Sequence, residues 1–121
     1  MTTDRELNVM AWQDEVPAAC TLSMAEQPVR RREFDELFAR DVRSVYAEAP
    51  DRLRFELRGD PQVAARAAAL AVKEAGCCSF FAFDLAIADG TVSLAVTVPA
   101  AHQDVLAALR ARAESQLGAR A

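Results

Sequence analysis

Three cysteines, Cys20, Cys77 and Cys78, are the only concentrated set of side chains in this sequence that could do chemistry. The thiolate is the form of cysteine that binds metals and attacks electrophiles. Three thiolates form a trigonal ligand set for soft ions such as Hg(II), As(III) or Cu(I), which prefer sulfur to nitrogen or oxygen. An odd number of cysteines also favours thiol chemistry or metal ligation over a disulfide framework. We therefore treat these three residues as candidate metal ligands.

The sequence around Cys77 and Cys78 disfavours metal-free thiolates. The pair follows the predicted end of a helix at Gly76, where the helix dipole opposes a negative charge, and it precedes a phenylalanine-rich segment. A soft cation would supply the positive charge that a thiolate needs. Adjacent side chains on a regular strand point to opposite faces, so both sulfurs reach one ion only if the turn after Gly76 is irregular. The alternative is that the cysteines simply pack in the core, as cysteines often do.

Zinc and conventional catalysis fit the sequence less well. There is no C-x-x-C pair, and His102 is the only histidine, placed on the surface in the first turn of the last predicted helix. A closed zinc site would need the three cysteines with His102 or a carboxylate. The sequence also lacks a glycine-rich phosphate loop and a G-x-S-x-G nucleophile motif.

Composition places the chain among single-domain globular proteins. It has 121 residues, of which 52% are hydrophobic and 26% charged, with a net charge of −4. No apolar run approaches the ~20 residues of a membrane span, and the acidic N-terminus does not resemble a secretion signal. We therefore expect a cytoplasmic protein without membrane partners. The negative charge argues against direct nucleic-acid binding, which needs a basic surface.

Apolar periodicity predicts three helices and four strands. The helices are expected at residues 28–40, 61–75 and 101–117, with Asp60 capping the second and Gly76 ending it. The first would bury Val29, Phe34, Leu37 and Phe38 and leave Arg30, Arg31 and Arg32 on its solvent side, paired with the acids that follow. The strands are expected at residues 42–48, 52–58, 79–88 and 91–98, with a hairpin at Asp89-Gly90.

These elements predict an α+β fold in the order α-ββα-ββα. A two-layer domain, with a four-stranded and mostly antiparallel sheet carrying helices on one face, buries every amphipathic stripe. The repeated order suggests an internal ββα repeat. We predict residues 1–19 as a flexible or loosely packed N-terminal arm and residues 20–121 as the single domain.

Three segments together resemble a family of uncharacterised small bacterial proteins: ACTLSMAEQPVRRREFDELFA, RLRFEL and AAALAVKEAGCCSFFAFDLAIADGTVSLAVTVP. The family signature is A-C-T-L followed later by C-C-[SP]-F-F, and the likeness covers residues 19–112. Similar segments are appended to MerR-type, mercury-responsive regulators. The resemblance implies that Cys20, Cys77 and Cys78 occupy the family's cysteine positions, and it implies a link to heavy-metal or thiol stress. This chain lacks a helix-turn-helix, so regulation would act through a partner regulator.

The sequence thus favours a soft-metal or metalloid binding protein that uses the three cysteines for sensing, buffering or hand-over. One alternative is a non-catalytic interaction domain with core cysteines, which forms a homodimer or docks through the exposed sheet face near Arg54 and Tyr46 or Phe80. A second, weaker alternative is a thiol-dependent enzyme acting on organometal or thiol substrates, with Asp84 as proton donor.

Overall fold

The computed structural model describes residues 26–120, and the side chains of residues 30–118. Within that range the chain forms three α-helices, four strands and one short 3-10 helix. In chain order these are α1 (Glu26–Arg40), β1 (Val42–Ala49), β2 (Arg52–Leu57), α2 (Pro61–Cys77), β3 (Ala82–Ala88), β4 (Thr91–Thr97), the 3-10 helix (Ala100–His102) and α3 (Gln103–Arg120). The predicted arm at residues 1–19 and Cys20 lie outside the described residues, so the domain boundary stays a prediction.

The four strands form one antiparallel sheet in the order β1-β2-β4-β3, which confirms the predicted fold class and element order. Each ββα half contributes one hairpin and one helix, and the two hairpins meet through their second strands, β2 and β4. This arrangement has the symmetry expected of a structural repeat. Asp89 and Gly90 join β3 to β4 with φ of 52° and 73°, the positive values that a type I′ hairpin turn requires.

The apolar core lies between the sheet and the helices, as the alternation on β2 predicted. Leu53, Phe55 and Leu57 are buried beneath the helices, whereas the arginines between them face the other side of the sheet. Phe38 of α1 stacks on Phe55 with 5.3 Å between ring centroids. The other buried helix residues follow the predicted stripes: Phe34 and Leu37 on α1, Val63, Ala67, Leu70 and Ala71 on α2, and Val105, Leu106, Leu109 and Ala113 on α3.

Two predicted boundaries around the cysteine pair are wrong. α2 continues through Gly76 to Cys77, because the Cys78 N–H donates to the Glu74 carbonyl at 2.7 Å and so extends the helical bonding pattern. Gly76 does not take the left-handed conformation of a C′ glycine. β3 starts at Ala82 rather than at residue 79, since a turn separates it from α2. The cysteine pair therefore ends a helix and does not open a strand.

The start of α1 also differs from the prediction. The helix includes two residues ahead of Pro28, which was expected to be the first helical residue. Proline is tolerated in the first turn because the N–H groups there have no acceptor within the helix.

A buried carboxylate, Asp41, joins α1, β1, β2 and α2. Its side chain is 1% exposed and lies between the end of α1 and the start of β1. Arg58, just after β2, donates to it at 3.0 Å, and Arg66 of α2 donates through two nitrogens at 3.1 and 3.0 Å. The Asp41 carbonyl also accepts the Arg58 N–H at 2.9 Å. Both guanidinium groups are half exposed, so the carboxylate is compensated while the cations stay hydrated.

We expect Asp41→Asn to destabilise the fold by about 1–3 kcal/mol, because three hydrogen bonds to a buried charge lose their ionic component. The free energy of unfolding from urea denaturation measures this. Asp84→Asn is the matched control, since Asp84 pairs with Arg52 at 3.0 Å but its side chain is 67% exposed. The control should change stability by no more than about 0.5 kcal/mol. If the two substitutions lowered the free energy of unfolding equally, Asp41 would not be the stabilising contact between α1, β1, β2 and α2 that we infer.

Candidate functional site

Cys77 and Cys78 lie at an irregular junction between α2 and the turn before β3. Cys77 is the last residue of the helix and is half-buried. Cys78 follows with an extended backbone, φ −125° and ψ 96°, and its side chain is 1% exposed. Because neither residue belongs to a regular strand, the divergence expected of neighbouring strand side chains does not apply here.

The two neighbouring cysteines differ in chemical state. Cys78 is disulfide-bonded, whereas Cys77 keeps its thiol. The sequence led us to expect three reduced cysteines, and the bond at Cys78 differs from that expectation. An odd number of cysteines excludes complete pairing, but it does not exclude one disulfide. Cys20, the third predicted ligand, lies outside the described residues. Among residues 26–120, no group of three His, Cys, Asp or Glu side chains is arranged to hold a metal ion.

A guanidinium group approaches the Cys77 thiol from α1. Arg30 Nη2 lies 3.8 Å from Cys77 Sγ, within hydrogen-bonding range of sulfur. Arg30 Nη1 donates to Glu74 at 2.8 Å, and the two side chains are 12% and 4% exposed. Burial by itself lowers the pKa of Arg30, but its hydrogen bonds to Glu74 and Cys77 outweigh this and the net pKa is raised. The positive charge that the helix terminus could not supply to a thiolate thus comes from another helix.

Glu74 is a buried carboxylate on the apolar stripe of α2. Burial raises the pKa of Glu74 above its ordinary value, and the hydrogen bond from Arg30 opposes this only in part. The pKa values of both partners are therefore raised: desolvation is the larger effect at Glu74, whereas at Arg30 the combined hydrogen bonds and charges of Glu74 and Cys77 outweigh desolvation. Lys73 and Glu33 extend the ion pairs toward solvent, with 2.6 Å between Nζ and Oε2.

The ion pairs along α1 and α2 show that the helices run antiparallel. Arg30 pairs with Glu74 at one end, and Asp41 pairs with Arg66 at the other. A cleft of about 190 Å³ lies between these ends, lined mostly by charged side chains over Leu37 and Leu70. This volume is below the roughly 300 Å³ of a typical small-molecule site, so the seam is better described as a structural interface.

The predicted solvent-side placement of the arginine run is wrong for two of its three members. Arg31 is 5% exposed and Arg30 is half-buried against α2, whereas Arg32 is exposed. Burial lowers the pKa of Arg31, the charge of Arg112 lowers it further, and Asp35 partly offsets both. Ion pairing within α1 is not the main contact of Arg30. Its distance to Glu33 on the same helix is 3.6 Å, whereas its distance to Glu74 on α2 is 2.8 Å.

An aromatic cluster follows the cysteine pair and includes the histidine. Phe80 and Phe81 are buried, with their ring centroids 4.5 Å apart. His102 is half-buried, with its ring 4.8 Å from that of Phe80. His102 is therefore not the surface residue that the sequence predicted, because the 3-10 helix turns its ring onto the phenylalanines. Phe80 likewise belongs to the core and not to the exposed sheet face.

The face of the sheet opposite the helices is polar and internally paired. Arg52 bonds to Glu48 and Asp84, both at 3.0 Å, and Arg54 bonds to Glu48 at 3.2 Å. Tyr46 lies on this face and is 42% exposed. Asp84, the proton donor of the enzyme hypothesis, is thus engaged by Arg52 on the open face, whereas Cys77 contacts Arg30 between the helices.

Sequence reasoning missed Arg30 and Glu74 as site residues, although a signal was present. Glu74 follows Ala67, Leu70 and Ala71 on α2 at helical spacing, so it lies on the buried stripe. Arg30 precedes Phe34 and Leu37 by one and two turns on α1 in the same way. A charged residue in register with an apolar stripe predicts a buried ion pair, and two such residues of opposite sign predict each other.

The raised pKa of Glu74 predicts how stability depends on pH. Between the ordinary value of 4.5 and the raised value, the folded state binds the Glu74 proton more tightly than the unfolded state does. The stabilising contribution of this group is therefore full at acidic pH and is lost as pH rises through that window. Glu74→Gln cannot titrate, so its free energy of unfolding relative to the wild type should rise as pH increases above the ordinary value of 4.5.

Urea denaturation at stepped pH values measures this difference. Ala75→Gln, which adds an amide at an exposed position of the same helix, is the control and should show a constant offset from the wild type. If the difference in the free energy of unfolding between Glu74→Gln and the wild type were also independent of pH, the prediction would be wrong.

Comparisons with known proteins leave the structure as the main guide to function. No protein-family model, curated protein or solved structure matches the chain. Within the described part of the chain, no helix has the length and apolar character needed to cross a membrane.

Proposed function

We propose that the reduced protein is a cytoplasmic binding protein for soft metal or metalloid ions of the Hg(II) type, with Cys20, Cys77 and Cys78 as thiolate ligands. The observation that carries the proposal is the setting of Cys77. Its thiol lies beside the Arg30 guanidinium and directly precedes a cysteine that is bonded to another sulfur. Three sulfurs close together are the ligand set that soft ions prefer.

The assignment of Cys20 follows from the cysteine count. The chain has three cysteines, Cys77 keeps its thiol and Cys78 is disulfide-bonded. Cys20 is the remaining cysteine of the sequence, and we propose it as the third thiolate ligand. Reduction would release the Cys78 sulfur directly after Cys77, so that both neighbouring residues could offer a thiolate.

Metal binding and the disulfide exclude each other in this proposal. The ligand is the thiolate, and a disulfide sulfur has no thiolate to offer. The proposal therefore assigns the binding form to a reducing compartment, where cellular thiols keep cysteines reduced, and this favours the cytoplasm.

Arg30 and Glu74 have a supporting role in the proposed site. A thiolate is stabilised by nearby positive charge, and Arg30 supplies it at 3.8 Å from the Cys77 sulfur. Glu74 holds the guanidinium in place from the facing helix at 2.8 Å. The residues of the site thus come from α1, from the end of α2 and from the segment before α1.

In a sensing role, a second protein would carry the response. We propose a partner regulator or a homodimer for that role. Buffering or hand-over of the ion would need no such partner. Among the described residues, Tyr46 on the sheet face opposite the helices is exposed and could contact such a partner.

Hg(II) titration of the reduced full chain tests the proposal. We expect a one-to-one complex with a sulfur-to-mercury charge-transfer absorption band, and we expect substitution of Cys20, Cys77 or Cys78 by Ser to weaken binding. Each substitution removes one of three ligands, so the remaining site binds as a weaker two-thiolate site. Competition with a small thiol measures the affinities.

Ser79→Ala is the matched control, since Ser79 is exposed in the turn directly after the cysteine pair. It should bind Hg(II) as the wild type does. Tight binding by the triple Cys→Ser variant would refute the proposal. Undiminished binding by Cys20→Ser together with Cys78→Ser would favour the alternative in which these cysteines only pack the core.

The chemical states of the cysteines predict a dependence on redox conditions. Under non-reducing conditions a thiol-specific reagent should modify one cysteine per unfolded chain, Cys77, and after reduction it should modify all three. The oxidised chain should therefore bind Hg(II) as a single thiol does, much more weakly than the reduced chain. Thiol counts and Hg(II) titrations on the same two preparations measure both effects. Equal affinity in the two states would contradict the assignment of Cys78 as a ligand.

A further inference from the structure

The strand β3 (Ala82–Ala88) forms one edge of the sheet, and its outer side is open. Its inner side pairs with β4 along the whole strand without a register shift, and no other strand of residues 26–120 lies beyond it. An open edge carries backbone N–H and C=O groups that can pair with a strand from another chain. Native proteins usually protect such edges, so an unprotected one indicates a surface that a partner covers.

The other edge strand, β1 (Val42–Ala49), is protected. Its pairing with β2 has two register shifts, one near each end, and the exposed charged residues Arg43 and Glu48 lie along it. Irregular pairing and charge both hinder the addition of a further strand. In contrast, β3 contains no proline, lysine or register shift, and Asp84 is its only charged residue.

The hairpin geometry determines which residues of β3 direct their backbone groups outward. The two-residue turn after β3 makes its flanking residues, Ala88 and Thr91, a hydrogen-bonded pair. The direction of bonding alternates along an antiparallel strand. Phe83, Leu85 and Ile87 therefore present their N–H and C=O groups to the open edge.

The same three residues carry the large apolar side chains of β3. Phe83 and Leu85 are half-buried and pack against the core, whereas Ile87 is 63% exposed although it shares their face of the sheet. A further strand would bury Ile87. On the opposite face of β3 the alanines are short and exposed, so they leave the edge accessible.

The sequence of β3 is nearly symmetric about Leu85. Residues at equal distances from it are similar in two of three pairs, which are Ala82 with Ala88, Phe83 with Ile87, and Asp84 with Ala86. In an antiparallel pair of β3 strands centred on Leu85, these residues lie opposite each other across the two copies. Asp84 then lies opposite an alanine, so no two like charges are directly opposed. A two-fold interface requires this kind of self-complementarity.

We propose that two copies of this chain pair their β3 strands in antiparallel orientation, centred on Leu85, and so form a homodimer. The pairing joins two four-stranded sheets into one continuous sheet. The protected β1 strands then form both outer edges, so assembly stops at the dimer. The interface contains no cysteine, and the inference is therefore independent of the proposed metal site.

The helices do not obstruct this pairing. α2 packs on β3, and its residues Arg66 and Lys73 lie on the side toward α1. The side turned away from α1 carries Ala64, Ala68 and Ala75 at helical spacing. Two-fold pairing brings the two α2 helices to the same face of the joined sheet, where these short side chains let them lie side by side.

Sedimentation velocity of the full chain tests the proposal, under reducing conditions that exclude a dimer made by an intermolecular disulfide. We expect the wild type to show a concentration-dependent equilibrium between monomer and dimer. Ile87→Lys places a cation opposite Phe83 of the second copy, and the two-fold axis makes this happen twice. Loss of both apolar pairs should raise the dimer dissociation constant about tenfold. Because Ile87 is exposed in the monomer, the variant should fold, and circular dichroism checks this.

Two substitutions of Ala86 test the register. In the proposed pairing Ala86 lies opposite Asp84 of the second copy, and its own side chain is exposed. Ala86→Glu should therefore weaken the dimer through repulsion of like charges, whereas Ala86→Arg should strengthen it through a cross-strand ion pair. The same dissociation constant for both variants would contradict pairing centred on Leu85.

Val72→Lys and Tyr46→Lys are the matched controls. Each places the same charge at another exposed large side chain, on α2 and on the sheet face opposite the helices, and neither should change the dissociation constant. A wild type that stays monomeric at every accessible concentration would overturn the inference, as would assemblies larger than a dimer. A dimer that Tyr46→Lys disrupts and Ile87→Lys does not would assign the interface to the sheet face instead of the β3 edge, and would also overturn it.

Discussion

The buried carboxylate of Asp41 is the interaction on which the rest of this structure depends. At 1% exposure its charge must be compensated, and the compensation comes from Arg58 after β2 and Arg66 on α2. Asp41 itself lies between α1 and β1, so one charge joins two helices and the first hairpin. Because a buried charge tolerates little displacement from its partners, the junction fixes how α2 lies against α1. The apolar core by itself constrains the orientation of α2 relative to α1 less strongly, because the hydrophobic effect is not directional.

The antiparallel arrangement of α1 and α2 then determines the surroundings of the cysteine pair. With Asp41 and Arg66 at one end of the seam, the other end places Arg30 against Glu74 and the last residue of α2. That last residue is Cys77, and the guanidinium reaches its sulfur at 3.8 Å. The proposed site therefore depends on a structural ion pair about three turns away along α1. In the proposed site the cysteines would supply the ligands, and Arg30 of the facing helix would supply the positive charge beside Cys77.

Prediction from sequence succeeded for features governed by local periodicity. The alternation of Leu53, Phe55 and Leu57 predicted which face of β2 is buried, and the Asp89-Gly90 pair predicted a hairpin whose positive φ values few other residue pairs adopt. Prediction failed where two local rules competed. Gly76 is a common helix terminator, but the bond from Cys78 to Glu74 extends the helix past it. An arginine run followed by acids usually faces solvent, but here Arg31 is buried and Arg30 is half-buried, because the stripe of Phe34 and Phe38 continues toward them.

The sequence by itself determined the α+β class, the element order and the faces that pack in the core. Each of these follows from residue type and spacing along one element, where the physics is local. Only the tertiary structure decided that Arg30 and Glu74 meet beside Cys77, that Cys78 is disulfide-bonded and that His102 packs on Phe80. These are contacts between elements far apart in the chain. Their existence depends on helix orientation and on compensation of buried charge, neither of which a single periodic pattern encodes.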